Sequence, residues 1–130
     1  YELTFELVYP ALLEAAADCE SWQTAVVQTF LIALAQVPDT LIARKVGWKT
    51  AQETSRLAGR TIRSGPPGSC AWRSAVEELD AYLRADGNRR NPGTTADLIT
   101  AALFVLFAEH GCESLLKKGR DRECASSRLR

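Results

Sequence analysis

The segment with the clearest chemical potential is residues 91–97, Asn-Pro-Gly-Thr-Thr-Ala-Asp, a tight loop that runs straight into a long apolar stretch. A helix that begins there presents free backbone N–H groups and a partial positive charge, which makes it a natural seat for phosphate. Gly93 lets a ligand approach the backbone closely, and Thr94 and Thr95 add hydroxyl donors. Asp97 would hold Mg²⁺ against the bound phosphates. The structural alternative makes Thr95 an ordinary helix cap and Asp97 an acid that complements the helix dipole.

A second candidate segment is residues 39–47, Asp-Thr-Leu-Ile-Ala-Arg-Lys-Val-Gly, in which an acid at the head of a short helix precedes two cations. In the functional interpretation Asp39 contacts a metal or a ribose, and Arg44 or Lys45 neutralises phosphate. In the structural interpretation the acid caps the helix and the two cations complement its C-terminal dipole. The residues alone leave both interpretations open.

For most of the other notable side chains, the position in the sequence indicates a structural role. His110 falls in the last turn of its helix, where a residue that can carry positive charge complements the dipole. Trp22, Trp72 and Phe104 are typical of core aromatic residues. Glu6 lies in an apolar-rich segment and points either into a site or into water. The sequence contains no P-loop, dinucleotide-binding, nucleophile-elbow or H-E-x-x-H motif.

The overall composition excludes several classes of function. Sixteen basic residues balance sixteen acidic ones, so no net field attracts nucleic acid or an anionic membrane. The longest uncharged apolar run, residues 98–108, is shorter than the roughly 20 residues that a membrane-spanning helix needs. Four scattered cysteines and a single histidine form no local zinc motif and fit a reducing compartment. We therefore expect a cytoplasmic protein without a nucleic-acid or membrane partner.

The N-terminal residues 1–9 alternate apolar and polar side chains, which is typical of a strand. A lone strand would leave its backbone groups unpaired, so we predict a helix that turns at Pro10 and ends near Ala17. The next predicted helix begins at a cap, Asp18 or Ser21, and is interrupted by Pro38.

Turn residues and caps delimit the remaining predicted helices. One predicted helix covers residues 40–46 and ends at Gly47, and the next runs from a capping box at Thr50 to about Arg63. A third follows the apolar stripe that starts at Trp72. The last runs from a cap at Thr94 or Thr95 to His110. Residues 98–108 are apolar on all sides, which predicts a central position. We thus predict an all-α fold, a compact multi-helix bundle with a buried central C-terminal helix. The helical domain covers residues 1–112, and a charged, disordered tail covers residues 113–130.

Both candidate segments resemble signatures of one family. Residues 91–98, followed by Ala-Ala-Leu-Phe at 101–104, resemble the signature near the C-terminus of triphosphoribosyl-dephospho-CoA synthases. Residues 39–47 resemble an upstream segment of the same family that contains Asp-Thr, an arginine and a glycine. Residues 1–10 are similar to a stretch that precedes it. The motifs stand in the family's order, and the resemblance covers roughly residues 1–111.

The resemblance implies an all-α transferase that joins ATP and 3′-dephospho-CoA, transfers a triphosphoribosyl group and releases adenine. The product is the precursor of the prosthetic group of citrate lyase or malonate decarboxylase. ATP would be a substrate, Mg²⁺ the metal, and small-molecule nucleotides the partners. The residues implied for catalysis and for the metal are Asp39 and Asp97. The residues implied for nucleotide and phosphate binding are Arg44, Lys45, Arg90, Asn91, Gly93, Thr94 and Thr95.

The resemblance also implies an incomplete site, because family members are longer and their N-terminal half is absent here. The sequence of residues 91–97 resembles relatives in archaea and one-carbon-metabolising bacteria more than it resembles the prosthetic-group enzymes. A second hypothesis therefore gives the enzyme another acceptor, in one-carbon cofactor biosynthesis. A third hypothesis is a non-catalytic helical module. It would associate with a second copy or with a complementing N-terminal half through exposed apolar side chains, namely Leu3, Phe5 and Leu7.

Overall fold

The computed structural model describes residues 2–111 and shows helices joined by short loops. The elements are a π-helical turn (Thr4–Val8), α1 (Tyr9–Asp18), α2 (Trp22–Gln36), α3 (Thr40–Val46), α4 (Trp48–Arg63), α5 (Cys70–Arg84) and α6 (Gly93–His110). Every regular element in this part of the chain is helical, so the prediction of an all-α bundle is confirmed. The predicted tail, residues 113–130, lies outside the described residues.

The N-terminal segment is helical, as predicted, and its turn widens ahead of Pro10. Proline has no N–H, and its ring clashes with the carbonyl four residues earlier in an ordinary α-helix. Here Tyr9 donates its N–H to the carbonyl of Thr4, five positions back, and this wider π turn makes room for the ring. The helix then continues to Asp18, just past the predicted end.

The centre of the bundle is α2, which joins two apolar clusters. Ala33 packs with residues of the N-terminal helix and α6, in a cluster formed by Val8, Leu12, Ala33, Ile99, Ala102 and Leu106. Two other α2 residues pack with α4 and α5, in a cluster formed by Leu31, Leu34, Ala58, Trp72 and Leu79. Phe30 packs against both clusters. The buried Trp72 indole donates from Nε1 to Oε1 of Gln28 on α2 at 2.9 Å, so the apolar contact carries no unpaired donor there.

Several helix ends follow local signals, as predicted. The hydroxyl oxygen of Ser21 accepts a hydrogen bond from the Thr24 N–H at 3.1 Å and caps α2. That helix ends ahead of Pro38, and α3 ends at Gly47, whose φ of 101° suits glycine.

The capping box predicted at Thr50 is wrong, because α4 already begins at Trp48. Thr50 therefore lies inside the helix, and its hydroxyl donates to the carbonyl of Val46 at 3.4 Å. Glu53, the other half of the predicted box, pairs with Arg56 at 2.6 Å.

The last helix, α6, is less buried than its sequence predicted. Phe104, expected in the core, is 74% exposed, and Phe107 is 39% exposed. The buried residues of α6 lie on one face and are Thr95, Ile99, Ala102 and Leu106. An apolar run with a single polar residue, here Thr100, carries too little periodicity to separate an inner face from an outer one. The prediction of a buried central C-terminal helix is therefore wrong for the outer face of α6.

Within residues 2–111, no single helix is long and apolar enough to cross a membrane. The helices α2 and α3 reach the required length and hydropathy only as a pair, and they are bent by 59° at the break between them.

Candidate functional site

The two candidate segments meet where the N-termini of α3 and α6 converge, and we call this place the α3–α6 junction. Its centre is the Asp39 carboxylate, which is 2% exposed. Oδ1 accepts hydrogen bonds from the N–H groups of Leu41 at 2.9 Å and Ile42 at 3.1 Å. Oδ2 accepts from the N–H of Thr95 at 2.7 Å and from its hydroxyl at 2.8 Å. One buried carboxylate thus caps two helices at once.

The hydrogen bonds of Asp39 leave little capacity for another ligand. An ionised carboxylate offers about four lone-pair sites, and four donors already point at this one. A metal ion at Asp39 would have to displace at least one of these donors. In this structure Asp39 is the anchor of the junction, and its predicted metal contact remains a prediction.

Several donors predicted for phosphate are used within the chain. Thr95 donates to Asp39, and the Gly93 N–H donates to the carbonyl of Asn91 at 2.9 Å. The helix α6 starts after Pro92 with no cap from its own side chains. The prediction that Thr94 or Thr95 caps α6 is therefore wrong, because the capping group comes from Asp39. The anion at this helix N-terminus belongs to the protein itself.

The glycine of the second segment makes room for a neighbouring side chain. A Cβ added to Gly93 would lie 2.6 Å from Cδ2 of Leu41 on α3, well inside van der Waals contact. The close approach predicted for a ligand is therefore taken by Leu41. The absence of a side chain at Gly93 lets α3 and α6 come together.

The outer layer of the junction holds a pair of hydroxyl groups with a cation and an acid on either side. Oγ1 of Thr40 and Oγ1 of Thr94 share a hydrogen bond of 2.9 Å. Arg44 follows Thr40 by four residues and lies on the same face of α3. Asp97 follows Thr94 by three residues and lies on the same face of α6. Arg44 and Asp97 are both exposed, so the structure brings predicted residues of both segments to one surface.

The two acids predicted as a metal pair lie on different sides of α6. Asp97 follows Thr95 by two residues, which is about 200° around the helix, whereas Thr95 faces Asp39. Asp97 is exposed and Asp39 is buried. Among the described residues, no group of three or more His, Cys, Asp or Glu side chains is arranged to hold a metal ion.

The remaining predicted ligands are spread around the junction. Lys45 is exposed in the last turn of α3, and Asn91 is exposed in the loop before α6. Arg90 is held on α5: its Nη1 donates to the carbonyl of Tyr82 at 3.1 Å, and its Cζ lies 4.4 Å from the centroid of the Tyr82 ring. Arg90 would have to leave this cation–π contact to reach an anion at the junction.

A cavity of about 420 Å³ beside the start of α6 was not predicted, and we call it the base cavity. Its lining includes Phe30 of α2, Leu83 of α5, Asn88, Asn91, Pro92 and Ala96. Of these residues only Asn91 was a sequence candidate. The others come from three parts of the chain, so no local spacing connects them.

These features define an all-α protein whose two sequence motifs converge on one surface. Residues 1–116 match the family described as ATP:dephospho-CoA triphosphoribosyl transferase, and the chain belongs to that family. The resemblance predicted from the two motifs is therefore confirmed.

Two curated relatives show the extent of the similarity. The chain is 30% identical over 96 residues to the probable 2-(5''-triphosphoribosyl)-3'-dephosphocoenzyme-A synthase of Pseudomonas syringae pv. tomato, covering 74% of this chain and 32% of that protein. It is 28% identical over 100 residues to the protein of the same description from Pseudomonas savastanoi pv. phaseolicola, covering 77% and 34%. The chain thus spans about a third of the length of these relatives. No solved structure matches it.

Proposed function

We propose that this chain carries the triphosphate-binding surface of an enzyme that transfers a triphosphoribosyl group from ATP to 3′-dephospho-CoA. In this reaction the N-glycosidic bond of ATP breaks, the ribose C1 bonds to the 2′ oxygen of dephospho-CoA, and adenine leaves with the proton of that hydroxyl. The observation that carries the proposal is the hydrogen bond between Thr40 and Thr94, which joins the two motif segments. Arg44, four residues after Thr40, and Asp97, three residues after Thr94, are both exposed and share the helix faces of these two threonines, which supports the proposal.

The exposed cations of α3 are suited to the triphosphate. Arg44 and Lys45 occupy the last turn of α3, and both are exposed. A guanidinium group binds phosphate oxygens in pairs, and an ammonium group adds a point charge. Thr94 is partly exposed, and its hydroxyl would become a further donor once Thr40 releases it. Transfer leaves the triphosphate intact, so these groups bind it and do not cleave it.

The exposed acid of α6 is suited to Mg²⁺. This ion keeps several waters and is commonly held by one or two carboxylates together with substrate phosphates. Asp97 therefore fits a Mg²⁺ that arrives with the triphosphate, and the ion would neutralise phosphate charge there. We do not include Asp39 as a second ligand, because a metal there would have to displace one of the four donors that point at its carboxylate. We assign Asp39 to positioning, since it holds the start of α6 against α3.

The acceptor and the compartment complete the proposal. Dephospho-CoA is the acceptor in the family description. An acceptor used in one-carbon cofactor biosynthesis is the alternative, and adenine release that depends on dephospho-CoA would exclude it. We place the reaction in the cytoplasm, because the four scattered cysteines of the sequence fit a reducing compartment.

The test is calorimetric titration of the 130-residue chain with Mg²⁺-ATP. We expect binding by the parent chain and a loss of about tenfold in affinity, ~1.4 kcal/mol, in Asp97→Asn. Asp18→Asn is the matched control, because it removes another exposed helical carboxylate far along the chain and should leave the affinity unchanged. A folded chain that does not bind, or an Asp97→Asn variant that binds as the parent does, would overturn the proposal.

A second candidate function, self-association, is favoured by the outer face of α6. Phe104 and Phe107 are exposed there, and no charged residue lies between Asp97 and Glu109. Phe5 is also exposed, at 52%. In a pure sample another copy of this chain supplies the apolar surface that would cover these side chains. We propose a homo-oligomer formed through this face.

A further inference from the structure

The base cavity and the outer layer of the junction lie on different sides of the first turns of α6. Ala96 lines the cavity, and the next residue, Asp97, belongs to the outer layer of the junction. Consecutive helical residues are about 100° apart around the axis. A ligand that contacts both the cavity and the outer layer would therefore have to lie across the start of α6.

The walls of the base cavity are apolar on one side. Phe30 and Leu83 are half-buried and Pro92 is buried, so they form a firm surface against which a flat ring can pack. Two charged residues, Asp80 and Arg84, also line the cavity, and they form an ion pair with each other at 2.8 Å. Because the charge of Arg84 is balanced by Asp80, the lining carries no net charge, which suits an uncharged ring better than a phosphate group.

The other side of the base cavity offers two carboxamides. The Asn91 N–H donates to the carbonyl of Asn88 at 3.1 Å, and this turn fixes the two residues close together. Asn88 has a φ of 61°, which asparagine tolerates better than most residues. Within residues 2–111 neither side-chain amide makes a hydrogen bond to another residue. Both amides are therefore available to a ligand.

The pattern of donors and acceptors identifies a class of ligand. A carboxamide presents a donor beside an acceptor, and this pair matches the N6 amino group and N7 of adenine. The cavity volume of about 420 Å³ lies within the usual range of small-molecule sites, ~300–1,000 Å³. Apolar lining residues with a few polar groups that fix the orientation of the ligand are the usual composition of small-molecule sites.

We infer that the base cavity binds the adenine ring of a nucleotide substrate, with Asn88 and Asn91 reading the ring edge. The inference rests on the proposed function, because it extends the same bound nucleotide across α6. ATP and dephospho-CoA both carry adenine, so the ring has two possible sources. Asn88 and Asn91 then set the specificity for a nucleoside over bare triphosphate.

The experiment follows the side-chain amide resonances of Asn88 and Asn91 by NMR while the full chain is titrated with adenosine, Mg²⁺-ATP, dephospho-CoA and inorganic triphosphate. We expect adenosine to shift both resonances and inorganic triphosphate to shift neither. The Asn88→Gly/Asn91→Ala double variant keeps the left-handed turn accessible while it removes both amides. It should weaken ATP binding by about threefold to tenfold and weaken triphosphate binding less.

The matched control is Gln52→Ala, which removes an exposed amide from a separate cavity of about 470 Å³. It should alter neither ligand. Adenosine that shifts no resonance of the base cavity, or equal losses of ATP and triphosphate binding in the double variant, would overturn the inference while the phosphate-binding proposal stands. Adenosine binding without triphosphate binding would support the base cavity and count against the proposed function. If ATP or dephospho-CoA shifts the Asn88 and Asn91 resonances as adenosine does, that nucleotide is the one whose adenine ring occupies the cavity.

Discussion

Asp39 and Thr95 are joined by two hydrogen bonds to a single carboxylate oxygen, although 56 positions separate them in the chain. The other oxygen of Asp39 caps α3, so one side chain sets the starts of two helices against each other. The outer pair, Thr40 and Thr94, lies in register for this reason. Two segments that are distant in the sequence therefore present one surface.

Replacing Asp39 should destabilise the whole fold. Asp39→Ala removes a helix cap and leaves buried donors of α3 and α6 without an acceptor, so we expect the free energy of unfolding to fall by about 3 kcal/mol. Asp97→Ala is the control, since an exposed acid near the same helix start should cost less than about 1 kcal/mol. Urea denaturation followed by circular dichroism measures both. Equal losses in the two variants would show that Asp39 is not an anchor.

Replacing Gly93 and Gly59 with alanine should change the free energy of unfolding in opposite directions. Gly93→Ala places a Cβ against Leu41 and should lower the free energy of unfolding by about 1–3 kcal/mol. Gly59→Ala, inside α4, meets only the flexible end of Arg63 and should raise it by about 0.5–1 kcal/mol. Thermal unfolding of both variants gives the two values. The cost of Gly93→Ala should shrink when Leu41 is also shortened to alanine, and an unchanged cost would refute the steric explanation.

Tyr9 should give the fold a dependence on alkaline pH. The hydrogen bond from its hydroxyl to Glu109, some desolvation and the charge of Glu109 raise the pKa of Tyr9 above its ordinary value of 10.0. The folded state thus holds this proton more tightly than the unfolded chain does. The stabilisation is complete below pH 10.0 and is lost as the pH rises through the raised pKa.

The change that tests this link is Glu109→Gln. It removes the negative charge, so the Tyr9 ring should ionise at a lower pH than in the parent chain when its NMR signal is titrated. Tyr9→Phe should abolish the corresponding alkaline loss of stability. A midpoint that stays the same in Glu109→Gln would mean that Glu109 does not hold the Tyr9 proton.

The outer face of α6 should govern self-association. Phe104→Gln removes the most exposed aromatic ring of this face, so we expect a lower sedimentation coefficient at high protein concentration. The free energy of unfolding should change by less than about 0.5 kcal/mol, because the ring is already in water. Trp48→Gln removes an exposed aromatic residue of α4 and serves as the control. A parent chain that sediments as a monomer at every concentration would exclude the homo-oligomer.

Helix boundaries were predictable wherever local chemistry sets them. Ser21, Pro38 and Gly47 act on their immediate neighbours, and the structure has the boundaries that they indicated. The start of α4 was missed for a local reason too. Gly47, in its left-handed conformation, lets the chain enter the next helix at once, so Thr50 never reaches a capping position.

The site was predictable in its residues and less so in their roles. Spacing alone placed Asp39 and Thr95 at helix starts, yet it could not show that the first caps the helix of the second. Leu41 occupies the space at Gly93 that was predicted for a ligand, and Tyr82 binds the Arg90 side chain that was predicted for phosphate. Contacts of this kind depend on packing, which sequence periodicity does not record.

The hydrogen bond from the Thr95 N–H to a buried carboxylate also gives the junction its own reporter. That amide hydrogen exchanges with solvent deuterium when α3 and α6 separate. Fraying at the C-terminal end of α3 or of α6 leaves it protected. The exchange rate at Thr95 therefore measures the free energy that opens the junction. If the proposed function holds, we expect a bound nucleotide to hold α3 against α6 and to slow this exchange, so the same proton would report both binding and local stability.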